Sequence, residues 1–284
     1  MKSILAYILT FIIAFSSFAE ISISEKKALL LLNKSTIGNQ WTTKWDLNAP
    51  VTTWYGVTIQ NDKVVAIDLS SNKLSGTLPN EIANLTHLKS LVLFKNEISG
   101  NIPSTIGDLK NLEQLNLSFN KFSGAIPETL SNAASLKSIE LFMNRINGSL
   151  PKSFYKLNKL EVLSLYNNEI SGEIPSEIYQ IKSLKVLQLN SNKISGKLSK
   201  EISNLSSLES LSLFDNKMIG QVPADIEKMN NLKEMNISYN NFNGAISKKL
   251  SNKDALNMTM LNEQGVASAL KIDMFKDKDI VSEE

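Results

Sequence analysis

The 284-residue chain contains no cysteine and only one histidine. Without cysteine there are no disulfides, no thiol nucleophile, no cysteine-based zinc site and no lipid attachment through an N-terminal cysteine. An exported chain can do without disulfides when its core is large. The single histidine, His87, sits in the stretch Asn84 to Leu88, among residues that recur elsewhere in the chain. No serine–acid pair is implied beside it, and a catalytic triad needs a positioned base with its own orienting group, so His87 reads as a solvated surface side chain. A strong charge of one sign is also missing, since the formal balance is only +2. No basic stripe interleaves with stacking aromatics, which argues against nucleic acid as a partner. There is no phosphate-binding glycine loop and no metal-ligand cluster, so no cofactor, no metal and no enzyme activity are expected. Beyond the first residues, no apolar run is long enough to cross a bilayer.

Those first residues read as an export signal. Lys2 supplies the positive start, residues 4–15 form an apolar run, and Ser17 and Ala19 are small residues at the two cleavage-determining positions. Cleavage is expected after Ala19, making residues 1–19 a signal peptide and the mature protein secreted, periplasmic or displayed at the cell surface. Residues 20–63 read as a cap. Ser22 and Glu25 have capping-box spacing at the start of a helix, and Ala28 and Leu29 to Leu32 bury one side of it. Trp41, Trp45 and Trp54 follow, and covering the apolar end of a repeat array explains them better than a ligand platform does.

The array itself is plain. Asparagine returns every 24 residues at Asn72, Asn96, Asn120, Asn144, Asn168, Asn192, Asn216 and Asn240, each followed four residues later by glycine. Such a fixed period specifies a solenoid. Apolar residues recur at −8, −5, −3, +2 and +6 from each Asn, as in Leu88, Leu91, Leu93, Ile98 and Ile102. The −5/−3 pair alternates with polar residues, which is strand period. Proline at +7 (Pro79, Pro103, Pro127, Pro151, Pro175, Pro223) cannot donate a ladder hydrogen bond and belongs to the turn away from the main sheet. The asparagine amide carries an acceptor and two donors, so inside the turn it can satisfy backbone groups left unpaired by the bend and build a ladder from repeat to repeat. Eight repeats are expected over 64–255. Residues 256–284 are then a C-terminal cap and charged tail, because Gln264 stands where the next Asn is due. Within it, residues 257–270 are expected to cover the last strand and 274–284 to fray.

The unit L-x-x-L-x-L-x-x-N-x-L-S-G-x-I-P resembles the leucine-rich repeat family, and within it the plant-specific subclass marked by S-G-x-I-P. The stretch from Ala28 to Val57, with A-L-L-x-L followed by Trp54-Tyr55-Gly56-Val57, is similar to the N-terminal cap of plant receptor ectodomains. Those caps normally carry paired cysteines, and a cysteine-free version suits a bacterial or other non-plant exported relative. The resemblance implies an α/β leucine-rich-repeat solenoid with a parallel sheet on the concave face and an N-terminal helical cap. It also implies ligand binding on that concave face, as in receptor ectodomains and polygalacturonase-inhibitor-like proteins.

On such a sheet the residues at −4 and −2 point outward and those at −1 lie at the rim. These columns contribute Phe94, Phe119, Phe142, Met143, Tyr166, Phe214 and Tyr239, and adjacent repeats about 4.8 Å apart would join Phe94 through Phe214 into a continuous apolar band. Exposed bands of this kind mark interaction sites. Glu140 with Arg145 beside it forms the expected polar anchor at the border, and the mixed signs argue against a strongly acidic or basic partner. Glu140 and Asp68 lie three repeats apart, roughly 14 Å, too far for paired-carboxylate glycosidase chemistry. The expected function is therefore non-catalytic recognition of a protein, peptide or polysaccharide. A structural or adhesive protein acting by self-association is the alternative. Oligomeric state is open at this level. Sequons at Asn33, Asn84, Asn116, Asn147, Asn204, Asn236 and Asn257 fall largely out of the repeat itself.

Overall fold

A computed structural model describes residues 20–254, 256, 258–261 and 266–272. The signal-peptide expectation, Asn257, Gln264 and the charged tail lie outside the described residues. The first element among the described residues is the helix Ile23–Ser35. Ser22 accepts from the Glu25 amide at 3.2 Å while the Glu25 carboxylate accepts from the Ser22 amide, so the capping box closes reciprocally. The other oxygen of Glu25 takes the Val64 amide at 3.1 Å and fastens the helix to the sheet.

Among the described residues the concave sheet has nine strands. Val57–Gln60 pairs antiparallel with Lys63–Asp68. Ser90–Val92, Gln114–Asn116, Ser138–Glu140, Val162–Ser164, Val186–Gln188, Ser210–Ser212 and Glu234–Asn236 then add in parallel, one per repeat. Their central residues, Leu91, Leu115, Ile139, Leu163, Leu187, Leu211 and Met235, stand in register and are buried. The −8, −3 and +2 columns join them in one core running the length of the solenoid. Burying each such side chain contributes roughly 1.5–3 kcal/mol, which is why so short a strand holds.

The arms are more regular than the sequence suggests. The Ser-Gly segments form two further parallel sheets of four strands each on one flank, and a 3₁₀ turn of five residues follows each of the Pro or Ser positions at +7 from 79 to 223. Glycine suits the flank sheet at Gly76, where φ is +94° and a Cβ would meet the Ser35 carbonyl oxygen at 2.2 Å. Where proline gives way to serine, the hydroxyl caps the turn. Ser199 accepts from Glu201 N, and Ser247 accepts from Leu250 N while donating to Glu227.

The asparagines form the expected ladder. The Oδ1 of Asn120 accepts from Ile98 N, and its Nδ2 donates to Leu93 O in the repeat before and to Leu117 O in its own. The same pattern recurs at Asn144, Asn168, Asn192, Asn216 and Asn240. Each amide thus joins two successive turns. At the far end Lys253 O takes the Met235 amide, the Asp254 carboxylate takes the Ile237 amide, and Thr259 O takes the Tyr239 amide. The edge of the last strand is therefore covered from residue 253 onward, slightly earlier in the chain than expected.

The residue just before each ladder Asn has positive φ, between 52° and 58° in all eight repeats. Asn167 and Asp215 are residues that tolerate this region, and Ser71, Lys95, Phe119, Met143, Ser191 and Tyr239 carry the strain. Replacing Ser191 with asparagine is expected to raise stability by about 0.5–1 kcal/mol. Urea denaturation would read it, and an unchanged or lower midpoint would refute the strain argument.

Candidate functional site: the concave aromatic stripe

In repeats two to five, and again in repeats seven and eight, the sheet face places one aromatic ring per repeat in a zigzag. Phe94, Phe142, Tyr166 and Phe214 come from the −2 column. Phe119 and Tyr239 come from the −1 column, in the two repeats where position −2 is a serine beside an aromatic. Those serines, Ser118 and Ser238, are fully buried rather than outward-facing. The Ser118 hydroxyl bonds the Asn116 side chain, and Ser238 bonds Asp254 at 2.9 Å. The ring at −1 supplies the aromatic that the serine lacks. Phe119 meets Phe94 at 5.3 Å and Phe142 at 5.6 Å, both edge-on, and Phe142 stacks on Tyr166 at 4.4 Å and 9°. Such ring pairs contribute beyond their burial, so the stripe is stiff as well as apolar.

The stripe is not continuous, which corrects the expectation from the sequence. Ring contacts end at Tyr166 and resume with Phe214 and Tyr239, 5.1 Å apart. The repeat between them carries Asn190 and Ser191, so both columns lack an aromatic there. That gap is legible once the two columns are read together. Phe94, Phe142, Met143, Tyr166 and Phe214 are half-buried, and Phe119 and Tyr239 are exposed at 38% and 37%. Burial first, and the nearby Glu140 charge second, push the Tyr166 hydroxyl above its ordinary pKa.

Arg145 and Glu140 do not pair, a second correction. Glu140 accepts from Asn116 Nδ2 at 3.3 Å and from Ser138 Oγ at 3.1 Å on the concave floor. Arg145 lies in the flank strand Arg145–Asn147, on the side of Glu169, whose carboxyl is held below its usual range chiefly by its hydrogen bond from Lys193 and only last by the Arg145 charge. The reason is the turn at the ladder Asn, which carries the chain out of one sheet and into another between positions −1 and +1.

Both borders of the face carry charge ladders that the sequence reading missed. At position −7 the residues alternate strictly as Lys89, Glu113, Lys137, Glu161, Lys185, Glu209 and Lys233. Lys137 reaches Glu113 at 2.6 Å, Lys185 reaches Glu161 at 2.7 Å and Lys233 reaches Glu209 at 2.6 Å. The hydrogen bond from Lys137 holds the Glu113 carboxyl below its usual range, and Lys233 does the same for Glu209. At position +1 the pairs are Lys121–Glu97 and Lys193–Glu169, both at 2.8 Å. Sign alternation at the repeat period was the available signal.

The three tryptophans belong to the cap. All are buried, with Trp45 stacked on Trp54 and edge-on to Trp41. Among the described residues no helix is long and apolar enough to cross a membrane, and no group of three His, Asp or Glu side chains is arranged to hold a metal.

Family comparisons agree with this geometry. Models described as leucine-rich repeat region and leucine rich repeat match residues 141–263, 87–146 and 63–85. Among solved structures, the plant peptide hormone receptor RGFR1 in complex with RGF2 is 31% identical over 74% of this chain and 32% of its own, with a TM-score of 0.65. PEPR1-AtPEP1 is 31% identical over 81% of this chain and 36% of its own, with a TM-score of 0.72. This chain therefore spans about a third of those receptors' length. A plant ice-binding protein, 20% identical, shares the fold over 90% of this chain and 99% of its own at a TM-score of 0.58.

Proposed function

We propose, from the premise that the chain is a leucine-rich repeat protein, that it is an exported, non-catalytic recognition module of the plant-type repeat subclass. Its ligand is a protein or peptide bound on the concave face. The observation that carries this reading is the stripe of mutually contacting, incompletely buried rings from Phe94 to Tyr166. A solvated strand face prefers polar side chains, and preorganised aromatics are common interface anchors. The similar plant peptide hormone receptor RGFR1, solved in complex with RGF2, supports a peptide. The proposed binding residues are Phe94, Phe119, Phe142, Met143, Tyr166, Phe214 and Tyr239, with Glu140 as a polar contact on the floor and Arg145 at the rim. The expected export signal over residues 1–19 and the receptor ectodomains the chain resembles support a role outside the cytoplasm.

The test uses the mature protein and its Phe142→Ala/Tyr166→Ala variant as baits for extracellular partners. Removing a stacked pair from the centre of an interface is expected to weaken capture by at least about tenfold. If both proteins retrieve the same partner equally well, the stripe is only a stiffener. Concentration-dependent self-assembly lost in the variant would instead favour the self-association reading.

A further inference from the structure

The two rims of the concave face are charged differently. At the −7 rim, each glutamate is bonded to the lysine of the following repeat. The +1 rim, next to the aromatic stripe, reads Lys73, Glu97, Lys121, Arg145, Glu169, Lys193, Lys217. Glu97 bonds Lys121, and Glu169 bonds Lys193. Lys73, Arg145 and Lys217 are exposed and take part in no ion pair among the described residues. These cations recur every three repeats. With strands about 4.8 Å apart, they stand about 14 Å from one another along the rim.

That spacing has a chemical counterpart. An extended peptide rises about 3.3–3.4 Å per residue, so four residues cover about 13.5 Å. Its side chains alternate between faces, so residues separated by four lie on the same side. Carboxylates at every fourth position of an extended peptide would therefore all face this rim, about one cation apart. The intervening apolar side chains would rest on the rings of Phe94, Phe119, Phe142 and Tyr166. Asp215 is the one acid of the −1 column and forms no ion pair with Lys217.

We propose that the ligand is an extended peptide segment lying along the solenoid axis, carrying acidic side chains at intervals of four residues that pair with Lys73, Arg145 and Lys217. This rests on the reading of the aromatic stripe as a recognition surface. It refines that reading, since the border charges fall into two rows and the row beside the stripe carries the larger excess of cations.

The experiment uses the mature protein and three labelled nonapeptides with the same Phe, Leu and Ser background, read by fluorescence anisotropy. One carries Glu at its first, fifth and ninth positions. A second carries the same residues with Glu at the first, fourth and seventh. A third has Gln in place of every Glu. The first peptide is expected to bind at least about tenfold tighter than the other two, with the advantage shrinking as salt is raised. In Lys73→Gln/Arg145→Gln/Lys217→Gln that advantage should disappear. Equal binding of the two Glu spacings, an advantage that survives in the triple variant, or no binding by any peptide overturns the proposal. Phe142→Ala/Tyr166→Ala separates the two readings. If it weakens all three peptides while the rim variant changes nothing, only the rim assignment falls. If it binds all three like the parent protein, the recognition reading falls as well.

Discussion

Replacing Asn168 with alanine is expected to cost about 3–5 kcal/mol of folding stability, because the change strands several buried backbone groups at once. The Asn168 Oδ1 takes the Ile146 amide at 3.0 Å, and its Nδ2 donates to Leu141 O and Leu165 O, each at 3.0 Å. Alanine leaves one donor and two acceptors without this partner, in a residue that is 8% exposed. Each unmet buried group costs about 1–3 kcal/mol. Position matters as well as number. Asn168 lies in the middle of the array, and a solenoid is held together by interfaces between nearest neighbours. The substitution weakens one such interface, so urea unfolding should show a lower midpoint together with a broadened or split transition. Asn168→Asp should be worse at neutral pH, since it keeps the acceptor, removes both donors and sets a carboxylate against two carbonyl oxygens. A loss below about 1 kcal/mol with an unchanged slope would mean that water replaces the ladder and that these asparagines are not what joins the repeats.

Trp41→Ala should have a comparable effect by another route. Trp41 is 1% exposed, packs edge-on against Trp45 with ring centroids 4.9 Å apart, and donates its indole N–H to Thr36 O at 2.9 Å. Truncating a buried tryptophan costs about 3–5 kcal/mol through lost transfer energy and the cavity left behind. Here the loss falls on the piece that shields the first repeat. The neighbouring Thr42 amide bonds Asn72 O, and the Thr43 amide and carbonyl bond the Asn72 side chain at 2.6 and 3.1 Å, so the cap is tied to the first rung of the ladder. With the cap loosened, the apolar end of the array meets water, and terminal repeats need cover for solubility. The variant should therefore melt at lower temperature and scatter light before it unfolds. Melting coincident with the parent protein, without aggregation, would show that the tryptophans are not a structural cap.

Much of this was legible because the repeat poses the same local problem again and again. The Ser22–Glu25 capping box follows from a requirement met within a few residues, and the strand pattern, the buried columns and the Asn ladder follow from one requirement repeated at the 24-residue period. The aromatic columns were legible too, but their continuity was not. Asn190 and Ser191 interrupt them, and Phe119 and Tyr239 supply rings from the −1 column where Ser118 and Ser238 are buried. The Arg145–Glu140 pairing failed because five residues of sequence separation span a change of sheet, whereas Glu97 and Lys121, 24 residues apart, touch. Contacts on a solenoid surface run across repeats, and nearness along the chain is a poor guide to them.

By itself, then, the sequence determined the architecture. Period and polarity specify which column each residue occupies, and satisfying backbone groups and burying apolar ones leaves a single arrangement for those columns. What only the tertiary structure decided is which side chains meet: the zigzag of rings, the break after Tyr166, and the pairing that occupies Lys121 and Lys193 while leaving Lys73, Arg145 and Lys217 available. The physical reason is that stacking places residues from successive repeats about 4.8 Å apart, so the direction each side chain takes there, set by left-handed turns and cross-strand packing, selects its partner.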